Sequence, residues 1–103
     1  MRVIWDPKAR KERNQVADYI QRTFGVKRRT RFIKEVRQMT QMLRNHPNLG
    51  SIDPLYADRS VAYRSVIING LSKMVYRIED DIIYIAAFWD CRREPKEQAE
   101  ETK

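Results

Sequence analysis

The sequence predicts an α+β fold, β-α-α-β-β-β, in which a helix hairpin packs on one face of a small, mostly antiparallel sheet. Two observations carry this prediction. Residues 7–45 hold two apolar stripes at helical spacing, separated by a glycine. Residues 61–89 hold three β-rich runs separated by short turn signals. Because each amphipathic element must bury its apolar face, we expect two layers around one core, in a single domain spanning residues 1–103.

The first strand and the first helix are marked by local signals. The apolar run "RVIW" at residues 2–5 is expected to be a strand. Asp6 can then cap a helix whose first position is taken by Pro7. Apolar residues spaced by three, four and seven continue this helix to Phe24, and Gly25 supplies its end.

A second helix is expected over residues 27–45. It ends at His46 because a residue that precedes proline is disfavoured in helical geometry. Its apolar stripe consists of Phe32, Val36, Met39 and Leu43. Residues 47–60, with two prolines, a glycine and several Asp and Asn residues, are interpreted as an ordered connecting loop.

Three strands are expected after this loop, in the runs "VAYRSVII", "LSKMVYRI" and "IIYIAAFW". The Asn-Gly between the first two is a strong signal for a tight hairpin. The charged tail that follows Trp89 is expected to fray from about residue 96.

Composition narrows the possible functions. The chain has one cysteine and one histidine, so we expect no disulfide, no zinc site and no cofactor. No apolar run approaches the roughly 20 residues of a membrane span, and a cytoplasmic location is expected. The formal charge of +7 is concentrated in residues 1–46, which hold 13 Lys and Arg but 4 Asp and Glu. This excess suits an acidic partner or a phosphate backbone, or it only keeps exposed helix faces soluble.

The hairpin turn also makes a prediction about function. A two-residue turn at Asn69-Gly70 would pair Ile68 with Leu71, which places Arg64, Lys73 and Arg77 on the open face of the sheet. The last strand would bring Arg92 and Arg93 to the rim of this face. Such a cluster of cations has two interpretations: the cations bind an anionic ligand together, or each is solvated separately. On the first interpretation, Arg77 and Arg92 would bind phosphate.

The segment "VYRIEDDIIYI", followed by the basic strand end "CRREP", resembles the RelE/ParE superfamily of bacterial toxins from type II toxin-antitoxin systems. The resemblance runs from "VIWDPKA" to Pro95. It implies one of two activities. RelE-like members cut mRNA on the ribosome, and ParE-like members inhibit DNA gyrase by binding, without nuclease chemistry. A basic interaction domain without toxicity is a third interpretation.

We expect first a RelE-like, metal-independent endoribonuclease that inhibits translation, with the gyrase inhibitor as the alternative. The resemblance then implies that Arg64, Lys73 and Arg93 are catalytic. Arginine and lysine can stabilise charge that develops on a phosphoryl group, and Lys73 is the candidate general base. One departure from the pattern argues against cleavage, since "REPKEQAEETK" holds no C-terminal tyrosine or histidine.

The resemblance also implies partners. A toxin of this kind needs a cognate antitoxin, for which the basic helical half suggests an acidic protein that folds on binding. The ribosome with its mRNA would be the target of a nuclease, and gyrase that of the alternative. The toxin-antitoxin complex is expected to bind operator DNA and to act in plasmid stabilisation.

Overall fold

The structure is a computed structural model and describes residues 1–90. Its elements follow the chain in this order: β1 (Arg2–Trp5), α1 (Pro7–Phe24), α2 (Val26–Asn45), β2 (Ser51–Ile52), a short 3₁₀ helix (Pro54–Tyr56), β3 (Tyr63–Ile68), β4 (Ser72–Glu79) and β5 (Ile82–Asp90). The five strands form one sheet in the order β1-β5-β4-β3-β2, in which only β1 and β5 are parallel. The predicted α+β fold is therefore confirmed. The two-residue strand β2 was not predicted.

The helix hairpin is set by the residues at its ends. The Asp6 carboxylate accepts a hydrogen bond from the Lys8 amide at 2.9 Å, and Pro7 occupies the first turn. Gly25, at a φ of 96°, ends α1 and directly precedes α2. A side chain is strained at such a φ, so glycine makes the abrupt reversal possible.

The main core lies between the helices and the sheet. Ala9 and Ala17 on α1 are fully buried, and their small side chains let this helix approach β5 closely. The Phe32 ring on α2 meets the Phe88 ring on β5 edge-on, at 5.8 Å between centroids. The strands contribute Val66, Ile68, Met74, Tyr76, Ile83 and Ile85.

The opposite face of the sheet is covered at its centre and is not the open surface that the sequence predicts. A second cluster there contains Tyr56, Tyr63, Val75, Ala86 and Ala87. Segment 53–61, which includes the 3₁₀ helix, packs over it through Leu55, Tyr56 and Val61. The loop between α2 and β3 is thus part of the folded core.

The predicted register of the β3–β4 hairpin is wrong by one residue. Asn69 and Gly70 do form the tight turn, both at positive φ, and the Leu71 amide donates to the Ile68 carbonyl at 3.3 Å. Pairing, however, starts with Ile68 opposite Ser72, so Leu71 is an additional loop residue. A shift of one residue moves a strand's side chains to the other face. Arg64 consequently lies on the helix side of the sheet.

A bulge in β5 alters the alternation of its side chains. Val75 pairs with Ala87 and Tyr76 pairs with Ile85, which leaves Ala86 as the extra residue. Ala86 and Ala87 therefore both face the second cluster, and Phe88 returns to the helix side.

Candidate functional site

The structure separates the cations that the sequence groups into one site. Arg64 belongs to the helix side, whereas Lys73 and Arg77 project from the opposite face. Arg92 and Arg93 lie outside the described residues. The predicted convergence of Arg64 with Lys73 on one phosphate is therefore wrong, and its cause is the additional loop residue at the hairpin turn.

Arg64 holds the loop that follows α2. Its Nη1 donates to the Gly50 carbonyl at 2.7 Å and lies 3.5 Å from the Asn48 carbonyl. The neighbouring Tyr76 hydroxyl accepts from the Gly50 amide at 2.9 Å and donates to the Pro47 carbonyl at 2.7 Å. Burial raises the pKa of Tyr76, and the Gly50 hydrogen bond and the Arg64 charge oppose this shift. These contacts give Arg64 a structural role at this position.

Lys73 is committed to a buried ion pair. Its Nζ lies 2.7 Å from Asp53 Oδ2, and the side chains are 14% and 4% exposed. The other carboxylate oxygen of Asp53 accepts from the Leu55 amide at 3.0 Å and so caps the 3₁₀ helix. The anion beside Lys73 is thus neither a ligand nor solvent but Asp53, from a loop 20 residues away in sequence.

Arg77 is also engaged by neighbouring side chains. Its Nε lies 3.3 Å from Glu79 Oε2, and its guanidinium is 4.7 Å from the centroid of the Tyr84 ring. The Tyr63 ring centroid is 6.0 Å away on the other side. Because this guanidinium already pairs with a carboxylate and lies near two aromatic rings, only part of it is available to a ligand.

A groove that the sequence analysis did not identify lies between the two helices and the β3–β4 turn, with a volume of about 560 Å³. Three large side chains in its lining are substantially exposed, Tyr19 at 42%, Phe24 at 52% and Leu71 at 53%. The groove floor includes Phe32 and Phe88. A concave apolar surface with exposed aromatic rings is typical of a protein interaction site.

The rim of this groove carries both signs of charge. Arg28 and Arg31 line it on α2, and Glu12 and Asp90 line it near β5. Glu12 is already engaged, since one oxygen accepts from the Phe88 amide at 3.1 Å and the other pairs with Lys8 at 3.0 Å. The sequence signal for the groove is Phe24, which extends the apolar stripe of α1 to a helix end that the sheet does not cover.

Within residues 1–90, no cluster of three His, Cys, Asp or Glu side chains is arranged to hold a metal ion. Among the same residues, no helix has the length and apolarity needed to cross a membrane.

Two comparisons with known proteins found a similarity, one to a family model and one to a solved structure. The family model described as the ParE toxin of the parDE type II toxin-antitoxin system matches residues 3–95. A solved structure of the chromosomal ParDE toxin-antitoxin system from P. aeruginosa contains a chain with the same fold. It superimposes with a TM-score of 0.71 at 15% identity, over 87% of this chain and 95% of that one. A search of curated proteins found no match.

Proposed function

Because the chain belongs to the ParE toxin family of type II toxin-antitoxin systems, we propose that it inhibits growth by binding DNA gyrase, and that it does not cut mRNA. The family assignment favours this activity, which the sequence analysis gave as the alternative, over the RelE-like nuclease expected first.

One structural observation carries the argument against cleavage. A metal-independent RNase of this type needs cations that converge on the scissile phosphate. Arg64 and Lys73, two of the three residues expected to do so, project from opposite faces of the sheet. Each side chain is also bound to another group of the same chain, Arg64 to the Gly50 carbonyl and Lys73 to the Asp53 carboxylate. For both groups to stabilise one transition state, their contacts with the loop between α2 and β3 would have to break.

The second part of the proposal concerns the antitoxin. We propose that a segment of the antitoxin fills the groove between the helices and the β3–β4 turn with apolar side chains. Tyr19, Phe24 and Leu71 would then lose their exposure to water, and buried aromatic residues commonly dominate the energy of an interface. Acidic residues of the antitoxin that flank its apolar anchors would meet Arg28 and Arg31 at the rim.

The gyrase proposal is tested with the purified chain. It should block supercoiling of relaxed plasmid by gyrase, and an excess of the antitoxin should restore supercoiling. In cells, induction of the chain alone should produce a DNA-damage response while mRNA 5′ ends stay unchanged. Translation-dependent cuts in mRNA, with gyrase unaffected, would favour the nuclease instead. The toxin with antitoxin already bound is the control in the supercoiling assay, since it contains the same folded chain.

A further inference from the structure

Three arginines form a cluster on the helix hairpin, outside the groove that is proposed to bind the antitoxin. Arg10 and Arg13 lie on α1 and Arg37 lies on α2. The Arg13 guanidinium is 4.7 Å from the centroid of the Trp5 ring, and its Nε and Nη2 donate to Asn14 Oδ1 at 3.3 and 3.1 Å. Arg13 is therefore held in a fixed position before any ligand arrives.

The cluster is electrostatically unbalanced. Burial lowers the pKa of Arg13, and the charges of Arg10 and Arg37 lower it further, which indicates that both cations lie close enough to Arg13 to repel it. Within residues 1–90, none of the three makes an ion pair with a carboxylate. Other cations of the same hairpin do have such partners, as in the Arg29–Asp18 pair at 2.6 Å. Repulsion of this kind is relieved when an anion binds between the cations.

A shallow groove extends the cluster along α2. It has a volume of about 380 Å³ and is lined by Arg29, Thr30, Ile33, Lys34 and Arg37. Arg37 thus belongs both to the groove and to the cluster, and the exposed Lys34 adds a fourth cation beside it.

We propose that Arg10, Arg13, Lys34 and Arg37 bind phosphate groups of a duplex DNA backbone. Arginine forks match the geometry of phosphate oxygens, and DNA-binding surfaces are more positively charged than protein interfaces. An acidic protein partner is disfavoured because stable protein interfaces have an apolar centre. The apolar members of this surface, Trp5 and Ile33, are partly buried, and none of the exposed large apolar side chains of the described chain belongs to it.

The test measures binding of a short fluorescent DNA duplex to the purified chain by anisotropy over a range of salt concentrations, without gyrase. The cluster variant is Arg10→Gln with Arg37→Gln, which keeps Arg13 on Trp5. Its matched control is Arg22→Gln with Arg44→Gln, which removes the same charge from exposed positions of the same helices. Each lost phosphate contact lowers the slope of log affinity against log salt by about 0.9. The cluster variant should lose about 1.8, and the control should keep the wild-type slope.

Three results would overturn the proposal. The wild-type chain could show no salt-dependent binding, or both variants could lose the same amount of slope, which would indicate diffuse net charge. In the third result, polyglutamate displaces DNA, and its own binding is lost in the cluster variant but not in the control. That result would identify an acidic protein partner. If the double variant does not unfold like the wild type, Arg37→Gln alone is tested, with an expected loss of about 0.9. Because gyrase is absent, failure here leaves the gyrase proposal standing.

Discussion

Lys73 shows how one neighbour decides what a charged residue can do. On the solvated face of a sheet, a lysine side chain is available to a ligand. Here its ammonium lies 2.7 Å from a carboxylate that is almost completely buried. Removal of one partner from such a pair leaves an uncompensated buried charge, which is more costly than the loss of the attraction alone.

We therefore expect Lys73→Met to reduce stability whatever it does to toxicity. The free energy of unfolding, measured in urea, should fall by about 3 kcal/mol, since Asp53 would stay buried without its cation. Adding Asp53→Asn should recover part of this loss, because asparagine can still accept from the Leu55 amide. The control Lys11→Met, at an exposed position of α1, should change stability by less than about 0.5 kcal/mol. Wild-type stability of Lys73→Met would show that the ion pair does not form in solution.

At the scale of elements, local sequence signals predict which helices and strands form, and tertiary packing decides the register in which the strands pair. Asp6, Pro7 and Gly25 act within a few residues of themselves, so the sequence is sufficient to place the ends of α1. The hairpin register is different. Its first strand carries Val66, Ile67 and Ile68 in succession, so either face can be the apolar one, and an Asn-Gly turn is compatible with one more loop residue.

The candidate sites also differ in how far the sequence predicts them. The excess of arginine and lysine in residues 1–46 is visible in the sequence, although the partner class is not. The ion pair of Lys73 depends on a loop residue 20 positions away, for which no periodic pattern exists. The groove needs two helices and a turn to be assembled, and most of its apolar lining residues follow the same spacing as core residues.

The groove makes a prediction that separates binding from folding. Phe24→Gln combined with Leu71→Gln should weaken antitoxin binding at least tenfold, because both side chains line the groove and are proposed to be buried in the complex. Stability should change little, since the two residues are 52% and 53% exposed in the toxin alone. Titration calorimetry with the antitoxin measures the affinity.

Val26→Gln is the matched control for this experiment. Val26 is 63% exposed and does not line the groove, so its replacement removes exposed apolar area from a different surface. An equal loss of affinity in the control would mean that the antitoxin covers the end of the hairpin instead. Unchanged affinity in the double variant would place the antitoxin elsewhere on the molecule.

For the molecule as a whole, the basic charge and most of the buried core come from different parts of the sequence. The basic excess lies in the helical half of the sequence, whereas β3, β4 and β5 supply most of the buried residues. The apolar groove and the arginine cluster share the helix hairpin but no residue. One folded unit could therefore hold an antitoxin and a DNA backbone at the same time, through contacts of different physical character.

The position of β5 has a consequence for the timing of synthesis. β5 lies between β1 and β4, yet it follows every other described strand along the chain. Until it leaves the ribosome, β1 has no partner strand and the groove lacks Phe88. Ribosome-bound chains that stop before residue 82 should therefore be digested readily by protease, and resistance should appear once β5 has emerged. Resistance in the shorter chains would contradict this order. We therefore expect a growing polypeptide to acquire the groove proposed for its antitoxin only after β5 has emerged.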